Sequence, residues 1–427
     1  MATFTPKNYR NQVLYSVFVR NYSQEGTFEA VRRDLDRIAA LGVDIVWLMP
    51  IHPIGEKARK GTWGSPYAAK DYRAIDATMG TVEDLKNLAE DVHKKGMKLI
   101  LDIVYNHTAP DSWLAEHHPE WFFHKPDGSL GNRVGDWYDI VDLDYNQKEL
   151  WEYQIETLKM WAEIVDGFRC DAAPLIPLEF WQQARKEVET VRPGCIWLGE
   201  SIDPGFIRLL REMDMVGLSD SEILQAFDIS YDYDIYGTYR AYLEGTVSLA
   251  DYAAAINAQE SIYPHNYVKL RFLENHDRPR AHQDIPDEKM LRNWTAFLYF
   301  QKGMTMIYNG QERCATHRPR LFEKDPVDWQ AGTDISQYLR RLYDIKQAPV
   351  FADSAYDVKA LPRDMLLATQ KKGKKRAIGI FSLRGQSGAV RIDLPDGEYE
   401  NLLGGTVDVY EGSFGMTGEP VILILDN

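Results

Sequence analysis

A chain of 427 residues with 64 acidic and 49 basic side chains, a net charge of -15, is poorly matched to nucleic acid or an anionic membrane and well matched to a neutral substrate. Its three cysteines, Cys170, Cys195 and Cys314, are too few and too irregularly spaced for a disulfide framework or a zinc ligand set, and they suit a reducing compartment. No run approaches the roughly 18 apolar residues of a membrane span and the first residues lack the apolar core of an export signal, so a cytoplasmic location is expected.

Along the chain, short β-like runs alternate with amphipathic helical patterns, which predicts a parallel α/β architecture. The first strand is placed at 14–19. Phe28, Val31, Leu35 and Ile38 then recur at helical spacing after Thr27, with Gly42 as the stop signal. A second strand at 45–49 precedes Thr81-Val82-Glu83-Asp84, a capping box with the shorter Asp in place of Glu, and Gly96 closes that helix. Strands follow at 98–104, 165–170, 196–199, 223–227, 269–273 and 304–308, making eight. Residues 109–142, rich in Trp, His, Pro and Gly, lack a sustained period and read as an insertion after the third strand. From 351 onward helical periodicity disappears, and β signals at 365–369, 376–382, 389–394 and 421–425 predict a separate antiparallel domain. The basic run Lys371-Lys372-Gly373-Lys374-Lys375 reads as a solvated hairpin tip. The expected division is barrel 1–108, insertion 109–142, barrel 143–350 and C-terminal domain 351–427.

Four segments carry acids or histidines at predicted strand ends: Leu101-Asp102-Ile103-Val104-Tyr105-Asn106-His107, Gly167-Phe168-Arg169-Cys170-Asp171-Ala172, Ile196-Trp197-Leu198-Gly199-Glu200-Ser201 and Phe272-Leu273-Glu274-Asn275-His276-Asp277. Strand alternation points Arg169 and Asp171 to one side, so the guanidinium holds that carboxylate ionised and aimed. Glu200 follows an apolar run, which predicts a desolvated carboxyl that keeps its proton. In an eight-stranded barrel, residues at the C-terminal ends of different strands converge on one mouth.

Taken in order, these segments resemble the consensus regions of the α-amylase family of retaining glycoside hydrolases. The resemblance implies a (β/α)8 TIM barrel with a short inserted B segment and a C-terminal antiparallel β-sandwich. It assigns Asp171 as nucleophile, Glu200 as acid/base and Asp277 as the third acid, which binds sugar hydroxyls in the transition state. His107 and His276 match histidines that donate hydrogen bonds to the sugar, Asp102 matches the acid that orients Arg169, and Tyr67, in Gly64-Ser65-Pro66-Tyr67, matches a stacking tyrosine. Retention requires two carboxyl groups about 5 to 5.5 Å apart. The implied activity is hydrolysis of α-1,4-glucosidic bonds in maltooligosaccharides. Ala172 favours that linkage, because α-1,6-specific relatives commonly carry valine there. Transglycosylation at the same site is the alternative enzyme, and a non-catalytic barrel that binds partners is the alternative from another class.

The chain departs from the family pattern at Pro174-Leu175, where many relatives carry Lys-His. That loss, with no acid cluster around Asn21-Tyr22-Ser23-Gln24-Glu25-Gly26, removes usual calcium ligands. No cofactor is therefore expected, calcium on Asn106 with Asp142 or Asp144 being the open alternative. The adjacent pair His117-His118 lacks the spacing of a helical zinc pair. The expected partner is an oligosaccharide substrate, with no nucleic acid and no membrane.

Overall fold

The computed structural model describes residues 4–135 and 137–426. Eight strands form a closed barrel in sequential order: β1 (Val13–Val17), β2 (Ile45–Leu48), β3 (Lys98–Ile103), β4 (Gly167–Cys170), β5 (Ile196–Gly199), β6 (Ile229–Tyr231), β7 (Lys269–Arg271) and β8 (Met304–Tyr308). Apart from Lys98 all their residues are buried, as expected for parallel strands covered on both faces. The register sets Ile45 beside Lys98, Asp102 beside Arg169 and Gly167 beside Ile196. Gly167 permits the last approach, since a Cβ there would lie 2.3 Å from the Ile196 carbonyl oxygen.

The sixth strand is not at 223–227. Ser219 and Glu222 form a complete capping box that starts a helix, Asp220–Ile223, and the turn continues until the Phe227 N–H bonds to the Ile223 carbonyl. Ile223 and Phe227 are therefore spaced as on a helix, while the strand is Ile229–Tyr231. β1 likewise ends at Val17, and Val19–Tyr22 is helical. The expected first helix is split into Phe28–Arg33 and Leu35–Ala40, with the Thr27 side chain accepting from the Ala30 N–H. Asp84 is long enough for its box: its Oδ2 accepts the Thr81 N–H at 2.8 Å, and its own N–H donates to Thr81 Oγ1 at 3.2 Å. The insertion is closed at its neck by an antiparallel pair, His107 opposite Asp142 and Thr108 opposite Val141. It contains a short helix, Trp113–His117, capped by Ser112.

Contacts divide the chain into two compact units, one of residues 14–231 with 318–329, the other of 5–13, 232–317 and 330 onward. The C-terminal part of the second unit holds β9 (Ala355–Leu361), β10 (Met365–Lys372), β11 (Lys375–Ser382), β12 (Gly388–Arg391), β13 (Gly397–Glu400), β14 (Thr406–Val409), β15 (Ser413–Met416) and β16 (Val421–Asp426). β9, β10, β11 and β16 make one antiparallel sheet in that order, while β12 pairs with β15 and β13 with β14. Met365, Ile378, Ile380 and Leu423 of the sheet share one core with Val390, Val407, Val409 and Phe414 of the two ladders. In β9 the outward Asp357 and Lys359 alternate with the inward Tyr356 and Val358, and this hid it from a hydrophobic count. Lys372 pairs with Lys375 across Gly373, whose φ of 59° supplies the tight turn of the basic hairpin tip. Among the described residues no helix is long and apolar enough to cross a membrane, and the three cysteines are buried and free.

Candidate active site

The sheet continues one residue past β4 and β5. The Asp171 N–H donates to the Ile103 carbonyl at 2.8 Å and the Glu200 N–H to the Cys170 carbonyl at 2.9 Å, so both acids leave the barrel from fixed positions. Arg169, fully buried, lies among three carboxylates. Its Nη1 is 2.9 Å from Asp102 Oδ1 and 2.8 Å from Asp171 Oδ1, and its Nη2 is 2.8 Å from Glu200 Oε1. Nε donates to the Tyr231 hydroxyl at 3.3 Å, and the guanidinium carbon lies 5.1 Å from the Trp47 ring centre. Desolvation works against this charge, but Asp102 and then Glu200 outweigh it, and the Arg169 pKa stands well above the ordinary arginine value. A planar fork is the side chain suited to several carboxylates at once.

Immediately after Asp171 the chain turns through a left-handed residue, Ala172, with φ 42° and ψ 40°. For an L-residue with a Cβ this costs on the order of 1 to 2 kcal/mol. The turn accompanies a specific contact, since the Ala172 N–H donates to Glu200 Oε2 at 2.9 Å. Glu200 therefore does not sit as a desolvated acid in an apolar pocket. Its Oε1 lies 2.8 Å from Arg169 Nη2 and its Oε2 accepts a backbone N–H at 2.9 Å. These contacts to its carboxyl come from polar groups of β4 and the following turn and not from the apolar run that precedes it, which corrects the expected surroundings.

Tyr67 donates its hydroxyl to Asp102 Oδ2 at 3.2 Å, and its ring centre is 5.6 Å from the Arg169 guanidinium carbon. His107 is buried beside Asn106, whose amide nitrogen is 3.2 Å from Nδ1. Burial lowers the His107 pKa, opposed by Asp142 and Asp139, so the imidazole is neutral near pH 7. The structure thus gathers Asp102, Arg169, Asp171, Glu200, Tyr67 and His107 in the first unit. His276 and Asp277 follow β7 as a pair of their own, with His276 Nε2 3.0 Å from Asp277 Oδ2; His276 is buried, whereas the Asp277 side chain is 44% exposed. Sequence reasoning missed Tyr231, because the sixth strand was placed too early, and Trp47, which resembles any other core tryptophan.

Asp142 and Asp144, the acids of the alternative calcium site, have protein partners. Asp142 Oδ2 accepts the Arg133 N–H at 2.7 Å and only its buried Oδ1 lacks a hydrogen bond, while Asp144 is 3.7 Å from the Arg133 guanidinium and binds Asn146. Among the described residues no group of three or more His, Cys, Asp or Glu is placed to hold a metal ion. His117 stacks on Trp113 at 4.4 Å and His118 on Trp121 at 3.9 Å between ring centres.

Two family models match the chain: "Alpha amylase, catalytic domain" over residues 12–140 and 134–350, and "Bacterial Alpha amylase C-terminal domain" over 357–423. A crystal structure of an α-amylase from Lactobacillus plantarum is 46% identical, with TM-score 0.97, covering 98% of this chain and 100% of its own. A maltogenic α-amylase from Thermotoga neapolitana is 32% identical, with TM-score 0.86 and the same coverage. An α-1,4-glucan:maltose-1-phosphate maltosyltransferase from Pseudomonas aeruginosa is 30% identical over 78% of this chain, and α-amylase MalA from Haloarcula japonica 25% over 92%. The chain spans little more than half of these two relatives' own lengths, 52% and 59% respectively. With the family's strand-end acids in place and both of its domain models matched in order, the chain belongs to the α-amylase family of glycoside hydrolases and is an enzyme of that type.

Proposed function

We propose that the enzyme hydrolyses α-1,4-glucosidic bonds of maltooligosaccharides with retention of configuration, Asp171 acting as nucleophile and Glu200 as acid/base. The observation that carries this reading is the single buried guanidinium with Asp171 on Nη1 and Glu200 on Nη2, each at 2.8 Å. Two carboxyl groups held by one guanidinium lie close together, which supports the retaining arrangement, whose pair is about 5 to 5.5 Å apart, over the wider inverting one. In the first step Asp171 attacks the anomeric carbon, the glycosidic C–O bond breaks, and the leaving oxygen takes the Glu200 proton. In the second, the Glu200 carboxylate removes a proton from water as its oxygen attacks the same carbon and releases Asp171. Asp277 and His276 bind sugar hydroxyls, His107 donates to the sugar, and Tyr67 is held by Asp102 as a wall of the sugar site.

Short soluble maltodextrins in the cytoplasm are the substrates in this reading, and calcium takes no part. Transfer to a sugar acceptor is the second reading, favoured by relatives named as maltosyltransferases at 30% identity. Proton NMR of the first product released from maltotriose decides the stereochemistry: the α-anomer is expected, and β-maltose refutes the retaining assignment. Asp171→Ala is expected to lose all turnover, and near-normal activity in that variant refutes the nucleophile. Product analysis at high substrate separates hydrolysis from transfer, longer oligomers marking transfer.

A further inference from the structure

His276 and Asp277 lie in a loop whose two ends are fastened by one buried ion pair. Arg280 Nη1 is 2.5 Å from Glu274 Oε1, with the side chains 0% and 2% exposed. The other Glu274 oxygen accepts the Ala281 N–H at 2.7 Å. Arg280 also donates from Nη2 to the Asn309 carbonyl at 2.9 Å and from Nε to the His317 carbonyl at 3.1 Å, which anchors the clasp to the chain after β8. Inside the loop, Asn275 Oδ1 accepts the N–H groups of both Asp277 and Arg278 at 2.9 Å, and its Nδ2 lies 2.9 Å from the Tyr233 hydroxyl. These contacts hold the loop ends, its backbone and the Asn275 side chain. The exposed Asp277 side chain itself meets His276 Nε2 at 3.0 Å, and both residues stand on the backbone so held.

We propose that Glu274 and Arg280 form a clasp, with Asn275 and Tyr233 as its inner support, that positions Asp277 and His276 against the sugar. The proposal rests on the reading of Asp277 as the acid that engages the sugar in the transition state. These are positioning residues, since none of them need touch substrate. A buried ion pair that only supports the fold affects melting and leaves kinetics intact, because changing one partner leaves the other charge buried and uncompensated. A pair that aims a catalytic acid affects kcat, because a misplacement of about 1 Å costs on the order of 100-fold.

The test uses the full chain and compares Glu274→Gln, Arg280→Lys and Tyr233→Phe, assayed on maltotriose well below each melting temperature. Glu274→Gln and Arg280→Lys are expected to lower kcat by about 10- to 100-fold with KM within about threefold, and Tyr233→Phe to lower it less, in the same pattern. Each is then combined with Asp277→Asn. If the clasp acts through Asp277, Glu274→Gln changes kcat/KM less than about twofold in the Asp277→Asn background. Losses that multiply in the double variant, or a fall in melting temperature with kcat unchanged, overturn the clasp. Should Glu274→Gln fail to fold, the Tyr233→Phe cycle decides by the same criterion. Near-normal activity of Asp277→Asn alone refutes the reading of Asp277 itself, an outcome distinct from an impaired Asp277→Asn with multiplying losses.

Discussion

Glu200→Gln is nearly a silent change of shape, but here the structure predicts that it destabilises the enzyme. The carboxyl lies between Arg169 Nη2, an ion-pair contact at 2.8 Å that is not aligned as a hydrogen bond, and the Ala172 N–H, which donates to it at 2.9 Å. An amide has one oxygen, so whichever way the new side chain is turned, an NH2 group meets a donor, a mismatch of about 1 to 3 kcal/mol. A Glu200 that holds its proton for the first step loses no charge in this change, so the expected loss is that mismatch, about 1 to 3 kcal/mol. Urea unfolding at pH 7 reads this directly from the shift in midpoint at constant slope. Kinetics supply the second half: turnover of maltotriose is expected to fall about 100- to 10,000-fold, with aryl glycosides that need no leaving-group proton much less affected in the glycosylation step. A variant as stable as the parent refutes this account of Glu200. Equal losses on natural and activated substrates refute its role as acid.

Chelation by EDTA is expected to change neither rate nor melting temperature, because Asp144 faces Arg133 and Asp142 offers one uncommitted oxygen; a lowered melting temperature restored by calcium refutes this. Maltotriose is expected to be cleaved with higher kcat/KM than panose at its 1,6-bond, and kcat/KM is expected to plateau before maltohexaose; a reversed preference or a continued rise counts against the short-maltodextrin reading. His52, fully buried with Nδ1 2.9 Å from the Ala74 carbonyl, has its pKa lowered by desolvation, so the unfolded chain binds the proton first. Its contribution is therefore intact above about pH 6.5 and is lost as pH falls below that value towards the folded pKa. Melting temperature should decline across this window less steeply in His52→Gln than in the parent, and identical slopes refute the contribution.

Much of this site was legible because its chemistry is short-range in sequence. Arg169 and Asp171 are two residues apart on one strand, so alternation alone brought them together. What alternation cannot supply is register between strands, and the pairing of Asp102 with Arg169 depends on β3 lying beside β4 in one alignment. The environment of Glu200 was misread for a related reason. The residues preceding a side chain describe the strand that carries it, whereas the groups around its carboxyl come from β4 and from the turn at Ala172. The sixth strand failed through competition: Ile223, Leu224 and Phe227 satisfy an apolar-strand template, but a capping box at Ser219 commits that segment to a helical turn first. In the C-terminal region, four-residue strands with charged outward faces fell below any periodicity threshold.

The two-residue ladder at the neck of the insertion makes that segment exchangeable. Because Thr108 and Val141 already meet, the chain between them begins and ends at one point, and even doubling its length adds only about 0.6 kcal/mol of closure entropy. The middle of the insertion can therefore change in length at little thermodynamic penalty. The neck has no such freedom, because one rung of the ladder is His107 itself, and a shift there moves that buried imidazole along with the loop.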